Sequence, residues 1–260
     1  MSLLINATIL SNNQLNNNHY LMKFNSGQLA AVAKPGQFLH VKCGGTTDPL
    51  LRRPISIHSV NKDDGVVGLL YRVAGKGTKL LSQKKPGEIL DVMGPLGNGF
   101  TMPNTAEKVA VVGGGIGIAP LYYLLQKMTA ENITCKAYLG ARTAAELLVV
   151  ENIKKLGIDI QLASDDGSTG FHGPVTELLK DAPNIDRLYT CGPLPMMKAV
   201  AQLAGERGIP TQVSLEERMG CGVGACLACT CRVKTAGDNQ YKRVCADGPV
   251  FNAGEVVWDD

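Results

Sequence analysis

The chain changes character at residues 109–120, which read VAVVGGGIGIAP. The apolar run at its start predicts a buried strand, and a helix is expected near residues 120–127. Four of the five residues between them are glycines, so the backbone is bare enough to approach a pyrophosphate at the N-terminus of the helix. These glycines are Gly113, Gly114, Gly115 and Gly117. The turn departs from a strict G-x-G-x-x-G pattern at Ile118, and a tight turn without a ligand is the alternative.

Beyond this turn, strand and helix patterns alternate. Further strands are expected at residues 136–139, 159–163, 187–190 and 212–215, and helices at residues 144–156, 175–179 and 196–204. Five strands with crossovers predict a parallel, doubly wound sheet, which binds ligands at the carboxyl ends of its strands. Cys191, Gly192 and Pro193 stand at one such end. We therefore expect them in the nucleotide site, with Cys191 near a nicotinamide, although a buried cysteine at a strand end is the alternative.

Before the turn, residues 20–93 carry short alternating or apolar runs, among them residues 37–41, 55–60 and 66–73, that predict antiparallel strands. Residues 61–65 form a hairpin loop in which Gly65 is available for a positive φ, and Pro35-Gly36 is another turn signal. This part of the chain is therefore predicted to be a small antiparallel barrel.

Two short motifs in the barrel suit anionic and flavin ligands. Arg53-Pro54-Ile55-Ser56 places a fixed cation and a hydroxyl on one strand. Arg53 suits a diphosphate and Ser56 a flavin ring nitrogen, whereas a surface arginine beside a strand serine is the alternative. Gly75-Lys76-Gly77-Thr78 precedes a helix expected at residues 79–82, and Thr78 as its N-cap predicts a second anion-binding helix start.

Five of the eight cysteines fall between Cys221 and Cys245. Cys221, Cys226 and Cys229 form C-x4-C-x2-C, and Cys245 follows after fifteen further residues, which is the plant-type arrangement for a [2Fe-2S] cluster. The alternative is a structural zinc site, but zinc ribbons usually offer two C-x-x-C pairs and only one is present. Cys231 is expected to be a non-ligand, because its one-residue spacing from Cys229 directs it off the loop.

Length and composition limit the remaining possibilities. The 260 residues are 45% hydrophobic and 19% charged, which predicts a compact α/β-rich protein, and the net charge of +3 with 5% aromatic residues argues against nucleic-acid binding. The N-terminus lacks signal-peptide features and no run of about 20 apolar residues is present, so we expect a soluble, cytoplasmic chain with no membrane span. Isolated histidines give hydrolytic catalysis no support. The expected domains are residues 1–102, 103–215 and 216–260.

These motifs resemble the ferredoxin-reductase superfamily, with its R-P-x-S flavin strand, glycine-rich helix start, G-x-G-x-A-P nucleotide turn and C-G-P strand end. Over nearly its full length the chain more closely resembles the electron-transfer subunits of NAD-dependent (class 1B) dihydroorotate dehydrogenases. The segments that carry this second resemblance are residues 35–38, 52–57, 93–100, the cysteine loop and residues 244–251.

The resemblance implies three domains: an antiparallel flavin-binding barrel, a doubly wound nucleotide-binding sheet and a small C-terminal [2Fe-2S] domain. It implies that Cys221, Cys226, Cys229 and Cys245 ligate the cluster and that NAD is the co-substrate. It implies an FAD site made by Arg53, Pro54, Ile55, Ser56, Leu70, Tyr71, Arg72, Gly77 and Thr78. Ile55 departs from the tyrosine that many reductases of the superfamily have there.

The implied function is an electron relay in pyrimidine (UMP) biosynthesis. An FMN-containing dihydroorotate dehydrogenase catalytic subunit is the implied partner, in a heterotetramer of two plus two, and dihydroorotate is oxidised only by that complex. Two alternatives stay open: a stand-alone NAD(P)H reductase that feeds an oxygenase or ferredoxin, and a zinc-stapled scaffold. The choice between NAD and NADP is also open, because Gly140-Ala141-Arg142 stands at the end of the second strand of the sheet with no acidic residue clearly following it.

Overall fold

The computed structural model describes residues 3–45, 47–235 and 238–258. Its first part is a closed antiparallel barrel with the strand order β1-β2-β5-β4-β3-β6, which confirms the predicted barrel. The elements are β1 (Leu3–Gln14), β2 (His19–Asn25), α1 (Gly27–Val32), β3 (Phe38–Val41), β4 (Arg53–Asn61), β5 (Val66–Arg72), α2 (Lys76–Ser82) and β6 (Ile89–Leu96). The predicted glycine turns are present, since Gly36 has φ 87° and Gly65 has φ 65°.

The second part is a mostly parallel sheet with the strand order β10-β9-β8-β7-β11-β12-β15. All five predicted strands are found in it, and they run parallel to one another. The elements are β7 (Val109–Gly114), α3 (Ile118–Ala130), β8 (Cys135–Ala141), α4 (Val150–Lys155), β9 (Asp159–Ser164), β10 (Phe171–His172), α5 (Val175–Lys180), β11 (Arg187–Cys191), α6 (Leu194–Glu206), β12 (Thr211–Ser214), β13 (Thr230–Thr235), β14 (Asp238–Arg243) and β15 (Val250–Asn252).

Two local predictions are wrong. The helix expected at residues 144–156 is a short 3-10 turn, Ala144–Glu146, followed by α4, because Val149 has φ 56° and a left-handed residue cannot continue a helix. Thr78 is not an N-cap, since α2 begins at Lys76 with Gly75 in the capping position. The Thr78 hydroxyl instead reaches back and accepts the N–H of Ala74 at 2.9 Å and of Gly75 at 3.2 Å.

The C-terminal segment does not fold on a core of its own. Strand β15 pairs antiparallel with β12 and so extends the sheet. Buried side chains of the segment, including Cys229 and Phe251, pack in one cluster with Phe38 of the barrel and Val213 of the sheet. The segment is therefore held by both other parts of the chain, which places its cysteine loop beside them.

Helix α3 joins the sheet to the barrel. Tyr123 is buried in the barrel core, and its hydroxyl donates to the Ala33 carbonyl at 3.0 Å. On β4, His58 is buried, its Nδ1–H donates to the Ala119 carbonyl at 3.1 Å, and its ring stacks on Tyr122 at a centroid distance of 4.6 Å. These contacts fix the start of α3, and with it the glycine turn, against strand β4.

No helix in the described ranges is long and apolar enough to cross a lipid bilayer.

The buried His58 should make stability depend on pH. Burial lowers the pKa of His58 from 6.5 to about 4, so between these values the unfolded chain binds more protons than the folded chain. The free energy of unfolding therefore holds its full value above pH 6.5 and falls towards pH 4, by up to about 1.4 kcal/mol per pH unit from this residue. Urea unfolding of wild type and His58→Gln at pH 7, 6 and 5 should show a shallower pH dependence in the variant.

His172→Gln is the matched control, because His172 is exposed on β10. This variant should keep the wild-type pH dependence. Equal slopes for wild type and His58→Gln would show that His58 is not the group that titrates.

Candidate cofactor sites

A cavity of about 830 Å³ opens between the barrel, the glycine turn and the segment that leads to the cysteine loop. Most of the residues expected at the flavin line it, namely Arg53, Pro54, Ile55, Ser56, Leu70, Tyr71, Arg72 and Thr78. Gly77 contributes by its lack of a side chain, because a Cβ there would lie 2.9 Å from the Arg53 Nε and so crowd the guanidinium. The structure thus brings the two barrel motifs together around one space large enough for a cofactor.

The two adjacent arginines differ in their partners. Arg52 is committed to structure, since its Nη2 lies 2.8 Å from the Asp91 Oδ1 and its Nη1 donates to the Asp91 carbonyl at 3.1 Å. Arg53 donates to the Leu51 carbonyl at 2.6 Å and, within the described ranges, forms no ion pair with a carboxylate. The Arg53 charge is therefore available to an anion in the cavity, and a diphosphate fits it.

Residues 214–219 form a wall of the cavity that the sequence did not predict. Glu216 lines the cavity and is partly open to solvent. The surrounding protein nevertheless raises the pKa of its carboxyl, while Arg72 opposes that shift. Met219 also lines the cavity, and Cys221 follows two residues later. The wall of the cavity therefore continues directly into the cysteine loop.

The glycine turn serves packing as well as any ligand. A Cβ on Gly117 would overlap the Cys191 carbonyl, and one on Gly114 would lie 2.8 Å from Pro193 Cδ. A Cβ on Gly113 would lie 3.2 Å from the Leu139 side chain, which is tight but can adjust, so packing within the protein constrains Gly117 and Gly114 most. Gly115 is different, because its φ is 52° and nothing lies within 4 Å of a Cβ there. Gly115 is thus the point at which a pyrophosphate has open access to this turn.

The Cys191-Gly192-Pro193 strand end packs against that turn. Gly192 has φ 159°, and a Cβ there would lie 3.0 Å from the Gly114 backbone. Cys191 is 1% exposed, and burial raises the pKa of its thiol. This arrangement gives the strand end a structural role, and its contact with a nicotinamide stays a prediction.

An acidic residue that the sequence did not reveal lies beside the turn. Glu146 shares a small depression with Gly113, Gly115 and Gly140, at the carboxyl ends of β7 and β8. Its carboxylate binds Arg142 through both oxygens, at 2.9 Å to Nη2 and 3.3 Å to Nε. Glu146 was missed because it follows the strand by five residues, and only the 3-10 turn folds it back towards the glycines.

The four predicted cluster cysteines converge as two pairs. In the loop, the Cys221 Sγ accepts N–H groups of Val223, Ala225 and Cys226 at 3.3–3.4 Å, and the Cys221 N–H points at the Cys226 Sγ at 3.4 Å. In the second pair, the Cys245 N–H points at the Cys229 Sγ at 3.4 Å. The Gly224 N–H adds a 3.1 Å contact to the Cys245 Sγ. The thiols of the first pair are accessible, whereas Cys229 and Cys245 are 2% exposed.

This donor set fits a two-iron cluster. The N–H groups aimed at the Cys221 Sγ, that of Val223 above all, lower the pKa of this thiol to about 6 and so favour the thiolate that iron requires. Two sulfur pairs are what a [2Fe-2S] cluster needs, because each iron takes two protein ligands.

An ion pair that was not predicted braces the loop. Arg243 binds both oxygens of Asp247 at 2.9 Å and donates to the Gly224 carbonyl at 3.0 Å. The Arg243 guanidinium holds the pKa of Asp247 at about 2. Gly222 and Gly224, with φ 73° and 81°, supply the left-handed turns that aim the loop amides inward.

Comparison with known proteins agrees with this geometry. Three family models match the chain: an oxidoreductase FAD-binding domain at residues 6–100, an oxidoreductase NAD-binding domain at residues 111–202, and the iron-sulfur cluster binding domain of dihydroorotate dehydrogenase B at residues 216–257. Fold and sites together define an iron-sulfur flavoprotein oxidoreductase of the ferredoxin-reductase type. The predicted cofactor set of FAD, an iron-sulfur cluster and NAD is confirmed.

Individual relatives narrow the assignment. The chain is 48% identical over 264 residues to the dihydroorotate dehydrogenase B (NAD+) electron transfer subunit of Desulforamulus reducens, with all of both chains covered. It is 46% identical to that of Bacillus caldolyticus, over 89% of this chain and 90% of the relative. The chain therefore belongs to the family of dihydroorotate dehydrogenase B electron transfer subunits.

Solved structures show the same fold. A structure of an NADH-dependent reduced ferredoxin-NADP oxidoreductase superposes with a TM-score of 0.85 at 33% identity, covering 97% of this chain and 90% of that chain. The ferredoxin reductase of a carbazole 1,9a-dioxygenase superposes with a TM-score of 0.69 at 22% identity, covering 80% and 67%. The higher identity to the dihydroorotate dehydrogenase B subunits favours that family over the stand-alone reductase, and the zinc scaffold finds no support.

Two neighbouring cysteines allow a direct test of the cluster ligands. Cys229 is buried beside Cys245, whereas Cys231 lies on β13 opposite Lys242. Cys229→Ala should lose nearly all bound iron and the visible absorption of the cluster, because one iron loses a ligand. Iron analysis and an absorption spectrum of the purified variant measure this.

Cys231→Ala is the control and should keep both iron and colour. If Cys231→Ala lost its iron while Cys229→Ala kept it, the assignment of ligands would be reversed.

Proposed function

We propose that this chain relays electrons from a dihydroorotate-oxidising partner subunit to NAD+, by way of a cluster held by Cys221, Cys226, Cys229 and Cys245 and an FAD in the large cavity. The observation that carries this proposal is the continuity between the two sites. Met219 lines the cavity and Cys221 is two residues away, so their Cα atoms are at most roughly 7 Å apart. A cluster in the loop would therefore lie next to a flavin in the cavity.

A flavin and a cluster are both needed because a nicotinamide exchanges two electrons as a hydride, whereas an iron-sulfur cluster exchanges one electron at a time. When bound, a flavin exchanges a hydride with a nicotinamide and single electrons with an iron-sulfur cluster. The chain's own contribution is to hold these groups in fixed positions, which the shared core of barrel, sheet and C-terminal segment provides.

The residues of the cavity have distinct roles. Arg53 binds the FAD diphosphate, with Gly77 and Thr78 shaping the helix start beside it, and Ser56 hydrogen-bonds the flavin ring. The remaining predicted residues, Pro54, Ile55, Leu70, Tyr71 and Arg72, form the walls. Support for this comes from the cavity lining and from Arg53, whose guanidinium forms no ion pair with the described carboxylates.

The glycine turn and the strand end form the NAD site. Gly115 admits the pyrophosphate, Gly114 and Gly117 let the turn pack on Cys191, Gly192 and Pro193, and Gly113 leaves room for Leu139. Cys191 thus supports the site by packing against Gly117 of the turn.

The assembly and setting are further parts of the proposal. We take the partner to be an FMN-containing dihydroorotate dehydrogenase catalytic subunit in a heterotetramer of two plus two, which serves pyrimidine (UMP) biosynthesis. The relatives are named electron transfer subunits, which supports a catalytic partner. A cytoplasmic location is supported by the eight cysteines, none of which forms a disulfide within the described residues. Residues 1–102, 103–215 and 216–260 serve as the FAD, NAD and cluster domains.

The relay is tested by breaking the cluster in the assembled complex. Cys226→Ala, purified with the partner, should lose NAD+ reduction by dihydroorotate, because electrons no longer cross the loop. The same preparation should still reduce a dye with NADH, because the FAD and NAD sites are intact.

The two assays separate the possible failures. Intact NAD+ reduction by dihydroorotate in Cys226→Ala would remove the cluster from the route. Loss of both activities would show that the variant has lost its flavin site, and Cys226→Ser would then replace it in the same pair of assays.

The ion pair of Arg142 and Glu146 should make the nucleotide site select NAD over NADP. A carboxylate near the glycine turn suits a ribose 2′-hydroxyl and repels a 2′-phosphate, and here it also neutralises the nearby arginine. Glu146→Gln should therefore raise kcat/KM for NADPH relative to NADH by about tenfold, the size of one charged hydrogen bond. Steady-state dye reduction with both nucleotides measures this ratio.

Glu151→Gln is the matched control and should keep the wild-type ratio. Glu151 also pairs with a cation, Lys154 at 2.7 Å, but on α4 away from the glycines. An unchanged nucleotide ratio in Glu146→Gln would place the selectivity elsewhere.

A further inference from the structure

His40 is a buried polar side chain with no well-formed hydrogen bond among the described residues. It lies on β3, is 1% exposed, and neither its Nδ1 nor its Nε2 forms a hydrogen bond within the described structure. Buried polar side chains are almost always paired, because leaving one unpaired costs more than a typical hydrogen bond contributes. The ring therefore has an N–H that no well-formed hydrogen bond of the described residues uses.

The surroundings of the ring show which part of the chain its nitrogen atoms face. A Cβ built on Gly222 would be 2.6 Å from the His40 Nδ1 and 3.2 Å from its Cε1, so the ring lies directly against the cysteine loop. Gly222 has φ 73° and is the residue after Cys221. The backbone carbonyls of Arg52 and Cys221 lie near the ring and oppose the lowering of the His40 pKa by burial, but neither meets the geometry of a hydrogen bond. His40 is thus a barrel side chain that lies against the start of the cluster loop.

The other side of His40 is the flavin strand. In the register of β3 and β4, His40 pairs with Pro54, between the pairs that contain Arg53 and Ile55. The carbonyl of His40 accepts a 3.3 Å hydrogen bond from the Arg52 Nη1, which also binds Asp91. The backbone of His40 is therefore fixed by the barrel, while its ring reaches the loop.

We propose that His40 is a positioning residue for electron transfer, whose imidazole N–H donates to a sulfur acceptor that the loaded loop presents beside Gly222. The proposal rests on the proposed function in one respect, since it needs a cluster in the loop. His40 sets the position of the loop against the flavin strand. Its N–H also stabilises the extra negative charge of the reduced cluster, because hydrogen bonds to cluster sulfurs raise the affinity for an electron.

The test uses an anaerobic redox titration followed by electron paramagnetic resonance of the reduced cluster. His40→Leu removes the donor, so at a fixed applied potential the ratio of reduced to oxidised cluster should fall about fivefold, the equivalent of one ordinary hydrogen bond. His40→Gln keeps an N–H donor and should stay closer to wild type. The FAD potential should not change in either variant.

His172→Gln is the control, because this histidine is exposed on β10, and it should titrate like wild type. Equal cluster titrations in wild type, His40→Gln and His40→Leu would overturn the proposal. A shift of equal size in the His172 variant would do the same, because the effect would not be specific to His40.

A second measurement uses only the wild-type protein, so its result does not depend on whether a variant folds. Wild-type protein labelled with 15N only in histidine should show a weak nitrogen coupling to the reduced cluster in pulsed electron paramagnetic resonance, and its absence would overturn the proposal. Failure of the proposed function looks different: wild-type protein would then hold no iron and give no cluster signal at all.

Discussion

The short chain connection between the flavin cavity and the cysteine loop is the constraint on which the other features depend. Residues 214–219 wall the cavity, and the first cysteine of the loop follows two residues later. Because the peptide backbone cannot stretch, this connection fixes the separation of the two sites within narrow limits. The rest of the fold keeps both ends of the connection in place.

That rigidity comes from packing across the three parts of the chain. Strand β15 extends the nucleotide sheet, and buried residues of the barrel, the sheet and the C-terminal segment share one apolar cluster. Tyr123 and His58 join α3 to the barrel by buried hydrogen bonds. A segment of about 45 residues has too little apolar surface to fold stably alone, so the shared core is what makes a cluster site there possible.

Glycines in this protein have more than one purpose. Gly114 and Gly117 allow the nucleotide turn to pack on the C-G-P strand end, and Gly222 makes room for the His40 ring. Gly115 alone in the turn combines a positive φ with open space. A glycine-rich motif therefore reports both a ligand site and the close packing that shapes it, and sequence spacing cannot separate the two.

The sequence by itself determined the three modules, their order, part of the barrel, five of the seven strands of the sheet and the spacing of the cysteines, because hydrophobic periodicity and short spacings are local properties. Tertiary structure alone decided the contributions of residues that act across distant segments. Glu146 lies beside the glycine turn because residues Ala144–Glu146 form a 3-10 turn and not the start of the predicted helix. Arg243 braces a loop that begins 22 residues earlier at Cys221, and His40 meets Gly222 from the barrel. These contacts depend on chain packing in three dimensions, which no pattern along the sequence encodes.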